Sequence, residues 1–263
     1  MAVERSVHGA IGGAYRSQGI TTLELRFNPM KRNRGGERDL DHIILAAIRG
    51  LDRASLEYPQ VRAGLILMMD RTFTAEQNAV IVEKAVRWAP RGIVGVDIAG
   101  PRPGGARYEY AQVAPMVEEA RAAGLGVTIH VGEEGGEMGR DEIGEVVDVL
   151  RPDRIGHGIL AAGDEELMSG LREAEIVLEI CPTSNLLTKA LPDDEAVRDT
   201  FRSFVDAGVQ FTIATDGPEM MHTHLRDELD LLLRIGALDE DELAEAKARG
   251  HEASFVHGSA VTA

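Results

Sequence analysis

Apolar positions along the chain fall into two alternating kinds of run. Short continuous stretches, often β-branched, recur at Ile20 to Phe27, Val61 to Met69, Ile93 to Ile98, Val127 to His130, Arg154 to Gly156, Ile176 to Ile180 and Val209 to Ala214. Runs of this length, closed by glycine, proline or polar turn residues, predict buried strands. Helical spacing fills the gaps between them. It covers residues 1 to 19, ending near Gly19, and Asp41 to Leu56, where Ile43, Ile44, Ala47, Ile48 and Leu51 share a face. It also covers Glu109 to Ala123 before Gly124, Asp141 to Leu150, Asp164 to Ala174, and Glu195 to Ala207 before Gly208. Thr74-Ala75-Glu76-Gln77 has the form of a capping box and opens a further helix to Trp88. From His224 onward the chain reads as helical and acidic, with Leu225, Leu229, Leu232 and Leu233 as an apolar stripe. Charged and glycine-containing loops are expected from Lys31 to Asp39 and from Pro101 to Gly105.

Strict strand–helix alternation with short connections predicts a parallel sheet covered by helices. No repeat or linker interrupts it, so a single domain over residues 1–263 is expected. The polar positions choose between an open sheet and a closed barrel. Asp97, His130, Glu133, His157, Ser184, Asn185 and Asp216 all fall at or just past the carboxyl ends of five strands. A TIM-type (β/α)₈ barrel gathers all its strand ends at one mouth, whereas an open sheet builds its site from fewer strands. The expectation is therefore an α/β barrel of this type. The pattern shows seven strands where the barrel has eight.

Composition changes this picture only at its edges. The 263 residues suit an α/β barrel, and 44% hydrophobic content suffices for a core. No run approaches the roughly eighteen apolar residues of a membrane span, and the first residues lack the apolar segment of a signal peptide. One cysteine, Cys181, excludes an internal disulfide and points to a reducing cytoplasm. A net charge of −16 argues against nucleic acid and anionic membranes as partners, though not against a small nucleoside.

The candidate chemistry centres on Thr128-Ile129-His130-Val131-Gly132-Glu133. A buried strand ends on His130, and Gly132 lets the backbone turn so that Glu133 points back over the strand end. The histidine can ligate a divalent ion, and the carboxyl group, shielded from water, can hold a proton for delivery. A strand-end histidine bonded to a backbone carbonyl is the plainer alternative. Three further motifs stand at strand ends: Arg154 to Gly158 around His157, Leu178 to Asn185, and Thr215-Asp216-Gly217-Pro218. Each alone reads as turn chemistry, and together they read as one site.

In this order the motifs identify the chain as similar to the adenosine deaminase family of metal-dependent amidohydrolases. Glu24-Leu25-Arg26-Phe27-Asn28-Pro29, Val96-Asp97-Ile98-Ala99-Gly100, Thr223 with Leu225 and Glu228, and Ala253-Ser254-Phe255, matched to the family's last helix, extend the resemblance over nearly the whole chain. It implies hydrolytic deamination of an aminopurine nucleoside or related purine, with release of ammonia. His130 and Asp216 would ligate one Zn²⁺, which lowers the pKa of its water from about 15.7 towards roughly 7. Glu133 would donate a proton to the ring nitrogen beside the carbon under attack, and His157 would orient the metal-bound water. The backbone at Gly100 would meet the purine, and Asp97, Ser184 and Gly217 complete the expected substrate-binding set.

Two departures qualify the resemblance. The family carries a second aspartate where this chain has Gly217, which puts adenosine itself in doubt and favours a larger nucleoside or a modified aminopurine. The family's first strand carries a His-x-His pair that supplies two more zinc ligands, and no such pair precedes Glu24. His8 stands alone in a helix, and His222 and His224 follow the last strand, where they read as surface or loop residues. The expectation is a barrel short of its first βα unit, with uncertain zinc occupancy and sheet edges open to self-association. The alternative function is a zinc-poor, inactive relative that binds a purine or serves in assembly.

Overall fold

A computed structural model describes residues 2–33 and 39–256. Its packing divides the chain into two compact units. The first is Met1–Gly105 with Gln112–Val127 and Ser254–Ala263, and the second is Ala106–Ala111 with Thr128–Ala253. Sequence patterning gave no sign of this division, because the strand–helix alternation runs through it without a linker.

In the first unit, helix α1 (Ala2–Gln18) leads into strand β1 (Thr22–Phe27), followed by α2 (Asp41–Glu57), β2 (Arg62–Asp70), α3 (Ala75–Trp88), β3 (Ile93–Ala99) and α4 (Ala114–Ala122). The expected Lys31–Asp39 loop lies partly outside the described residues. β1 pairs in parallel with β2, β2 with β3, and β3 with Gly126 and Val127, the first residues of β4 (Gly126–Val131). Ile44, Ala47 and Ile48 of α2 are fully buried, as their shared face predicts. Thr74 caps α3 through the reciprocal bonds with Gln77 read from the sequence. α4 begins later than predicted, after a 3₁₀ turn at Tyr110–Val113, with Pro115 in its first turn.

The motif Ala253-Ser254-Phe255, expected on a helix, instead follows one. Ser254 Oγ and the Phe255 amide both donate to Glu24 Oε1 of β1, at 2.8 and 2.5 Å. The Phe255 ring then lies so close to β4 that a Cβ on Gly126 would come within 2.2 Å of it. A glycine in a buried strand, unfavourable by propensity, is here the space for an aromatic ring.

In the second unit, β4 continues from Thr128, and α5 (Gly136–Glu145) follows, widening into a π-turn over Val146–Leu150. Then come β5 (Arg154–His157), α6 (Glu165–Glu173), β6 (Val177–Ile180), a short helix α7 (Pro182–Leu187), α8 (Asp194–Ala207), β7 (Phe211–Ile213), α9 (Pro218–Met221), α10 (Leu225–Arg234) and α11 (Glu240–Glu252). β4 through β7 pair in parallel in chain order. β5 and β6 are buried along their whole length, and the two charged residues they bury are paired, Arg154 Nε donating to Glu179 Oε1 at 2.6 Å. The helix expected from His224 onward is two helices. Gly236 stops the first at φ 68°, and Asp239 caps the second. Of the apolar stripe, Leu232 is fully buried and Leu233 faces solvent.

Candidate functional site

The second unit brings together four of the strand ends picked out by sequence. At the end of β4 the chain turns at Gly132, with φ 71°. A Cβ there would lie 2.4 Å from Cδ1 of Ile143, so both the conformation and the space exclude a side chain. The turn carries Glu133 to His157, leaving Glu133 Oε2 3.5 Å from His157 Nε2. The Glu133 side chain is half-buried, retaining 28% exposure. His130, half-buried, stands beside His157 with ring centroids 5.5 Å apart. Gly156 leaves room for this arrangement, since a Cβ there would approach the His130 ring at 3.1 Å.

His157 and Asp216 both adopt left-handed backbone, at φ 64° and 55°. Non-glycine residues rarely do so, and such strain concentrates at functional positions. Gly158 continues the left-handed turn, and its amide donates to the carbonyl of Val131, tying the end of β5 to β4. His157 is 2% exposed. Burial, and then the neighbouring His130, hold its pKa below the ordinary histidine value, against the opposing pull of Glu133, Asp216 and Glu179.

One element touches three of these groups. α7 starts with Pro182, whose missing N–H costs nothing in a first helical turn. Ser184 Oγ donates to Asp216 Oδ2 at 2.8 Å, Asn185 Nδ2 lies 2.9 Å from His157 Nδ1, and Thr188, at the helix end, donates from Oγ1 to Glu133 Oε1 at 3.0 Å. Ser184, expected to meet substrate, is thus buried and bonded to Asp216. Thr188 escaped the sequence reading, which took this stretch as a polar turn. The signal was present: a proline at a helix start places residues 184, 185 and 188 on neighbouring positions of one turn.

Asp97 and Gly100 belong to the first unit. Asp97 is fully buried and accepts from Arg26 Nη1 at 3.0 Å. Gly100 has φ 94°, and a Cβ there would lie 2.7 Å from Asp70 Oδ2. His8 bonds Glu57 Oε2 at 2.7 Å on the helical face of the first unit, while His222 and His224 are exposed. Among the described residues no group of three or more His, Cys, Asp or Glu side chains is arranged to hold a metal ion. His130 and Asp216 are two donors where a catalytic zinc has about three from protein, so the donor set does not fit the expected zinc site.

Residues 5–261 match the family model described as adenosine deaminase. The chain is 34% identical over 204 residues to the adenine deaminase of Rhizobium rhizogenes, covering 78% of this chain and 61% of that protein. It is 40% identical over 172 residues to the aminodeoxyfutalosine deaminase of Streptomyces coelicolor, covering 65% of this chain and 42% of that one. The chain thus spans about three fifths, or less, of the length of these two relatives. Among solved structures, the Arabidopsis N6-mAMP deaminase superimposes with a TM-score of 0.83 at 26% identity, over 98% of this chain and 75% of that one. The parallel strands and intervening helices are the TIM-type α/β fold shared with these structures.

Proposed function

Because this chain belongs to the adenosine deaminase family, we propose that it acts in the hydrolytic deamination of a purine bearing an exocyclic amine. The observation that carries this reading is the convergence of Glu133, His157 and Asp216 on one short helix, each held by its own hydrogen bond. In the reaction, water adds to the amine-bearing carbon, the carbon–nitrogen bond breaks, and the amine leaves as ammonia, or as methylamine from an N6-methylated purine. Glu133 is placed to give a proton to the ring nitrogen beside that carbon, since its carboxyl is anchored through Oε1 and open to the solvent side. That proton offsets the negative charge which the addition would otherwise leave on the ring. His157, kept neutral by burial, hydrogen-bonds the incoming oxygen. Asp216, with one oxygen held by Ser184, takes the first proton that the water loses and passes it to the leaving amine, and the hydroxyl left on the carbon returns its proton to Glu133 as the carbonyl forms.

The substrate class follows from the relatives and from Gly217. Adenine, aminodeoxyfutalosine and N6-mAMP appear in the names of proteins this chain resembles. A purine that needs no carboxyl partner at position 217 fits this chain better than adenosine does. Cys181, the one cysteine of the sequence, is buried and takes part in no disulfide, which agrees with a reducing cytoplasm. The incomplete donor set supports one alternative, a purine-binding module without turnover. Release of ammonia from adenine and adenosine and of methylamine from N6-methyl-AMP, with purine binding measured in parallel, separates the two. Turnover of any member supports the deaminase, and saturable binding without release of either amine supports the module.

A further inference from the structure

We propose that Asn185 is a positioning residue that sets the tautomer of His157, holding the neutral ring with its proton on Nε2 and turned towards Glu133. The inference deepens the deaminase reading and rests on it for its catalytic meaning. Its structural content stands separately.

The geometry leaves little freedom. Asn185 Nδ2 can only donate, so His157 Nδ1, 2.9 Å away, must accept, and the proton of the neutral imidazole then sits on Nε2. Neither partner can swing aside. Asn185 is fully buried, and its main chain is held at both ends, the backbone N–H donating to the carbonyl of Cys181 at 2.9 Å and the backbone carbonyl accepting from the Leu191 N–H at 3.0 Å. His157 is fixed by the left-handed turn and by the Gly158 bond to Val131. The opposite orientation of the Asn185 amide is the poorer one. As placed, its Oδ1 is a buried acceptor without a partner among the described residues. Reversal would put two N–H donors in that same position, and orphaned buried donors are rarer than orphaned acceptors. The Nε2–H tautomer also directs a donor at Glu133 Oε2, 3.5 Å away, where the other tautomer would set a lone pair against the carboxylate. His157 therefore meets the reacting oxygen as a hydrogen-bond donor.

The test is nitrogen-15 NMR of the full chain with labelled histidine, read without substrate well above the titration range of histidine. Loss of one signal set in His157→Gln assigns the resonances. In the wild type, Nε2 should show the protonated-nitrogen shift and Nδ1 the bare-nitrogen shift. Asn185→Asp replaces the donor by an acceptor of the same shape and should move the proton to Nδ1. Asn185→Ala, which adds no charge, should give a mixture of tautomers. Where turnover is measurable, kcat of Asn185→Asp should fall by on the order of 10- to 100-fold, with KM within about twofold. A wild-type His157 protonated on Nδ1 overturns the tautomer. An Nε2–H form unchanged in both variants overturns the role of Asn185. Because the spectra need no activity, a chain without turnover would count against the deaminase reading and leave this one standing.

Discussion

At the residue scale the site is built from side chains whose backbones are hard to hold. His157 and Asp216 are left-handed without being glycine, and each is secured by a neighbour on α7. Burial of His157 has a consequence for stability. Its folded pKa lies below the ordinary value of 6.5, so the unfolded chain takes up the proton first on acidification. The contribution is complete above that ordinary value and is lost as pH falls through the folded pKa. Wild-type protein should therefore lose more stability than His157→Gln between about pH 7 and about pH 5, as measured by denaturant unfolding. Equal losses would show that His157 titrates alike in both states. Gly217 carries a second prediction. Its φ of −99° suits any residue, and an added Cβ would meet the far end of the exposed Met220 side chain, Cε at 2.9 Å, and its Cβ at an ordinary 3.9 Å. Gly217→Asp should fold and raise kcat/KM for adenosine by about tenfold or more, given about 1–3 kcal/mol for a buried hydrogen bond. No gain in a folded variant would remove Gly217 as the selectivity position. These residues were legible in the sequence because glycine, proline and histidine mark strand ends whatever packs around them. Thr188 was not, because an ordinary threonine gives no sign of its partner until α7 is in place.

At the scale of elements, strands and amphipathic helices were readable where the pattern was long and its caps were strong, as in α2 and α3. α5 was read to begin at Asp141 and begins at Gly136. Glycine in a first turn argues against helix by propensity, and packing overrides that preference. Gly139 has no room for a Cβ, which would lie 2.4 Å from the carbonyl of Glu134. α7 is itself fastened from α10. Glu228, fully buried, accepts from the Thr183 amide at 2.9 Å and from Thr223 Oγ1 at 2.7 Å. Burial raises its pKa despite those two bonds. A raised carboxyl pKa contributes stability that is present at low pH and lost as pH rises through the folded value. Glu228→Gln keeps an acceptor for Thr183 and can donate to Thr223, without the cost of ionisation. Its Tm should exceed that of wild type at neutral pH, and the difference should shrink below about pH 4.5. A Tm lower than wild type by the same amount at both extremes would show that hydrogen-bond geometry, not ionisation, governs this contact.

At the scale of the whole molecule, the motif order disclosed the family, and strand–helix alternation disclosed the fold class. The division into two units was not legible, since it follows from how side chains pack and not from any break in the pattern. Metal content is a property of the assembled donor set. With His130 and Asp216 as the donors on hand, the chain should hold well under one zinc per molecule after dialysis against a mild chelator, read by elemental analysis. Stoichiometric zinc would mean that donors outside this set complete the site. The central claim is that Glu133 delivers a proton during purine deamination, and amine release (ammonia, or methylamine from N6-methyl-AMP) by wild type and Glu133→Gln, assayed side by side on the purine panel, tests it most directly. The amide keeps the shape and can still meet Thr188, but it has no acidic proton to give. The account predicts turnover by the wild type and a fall in kcat of about 10²–10⁴-fold in the variant, at unchanged Tm. Equal amine release by the two proteins would contradict it.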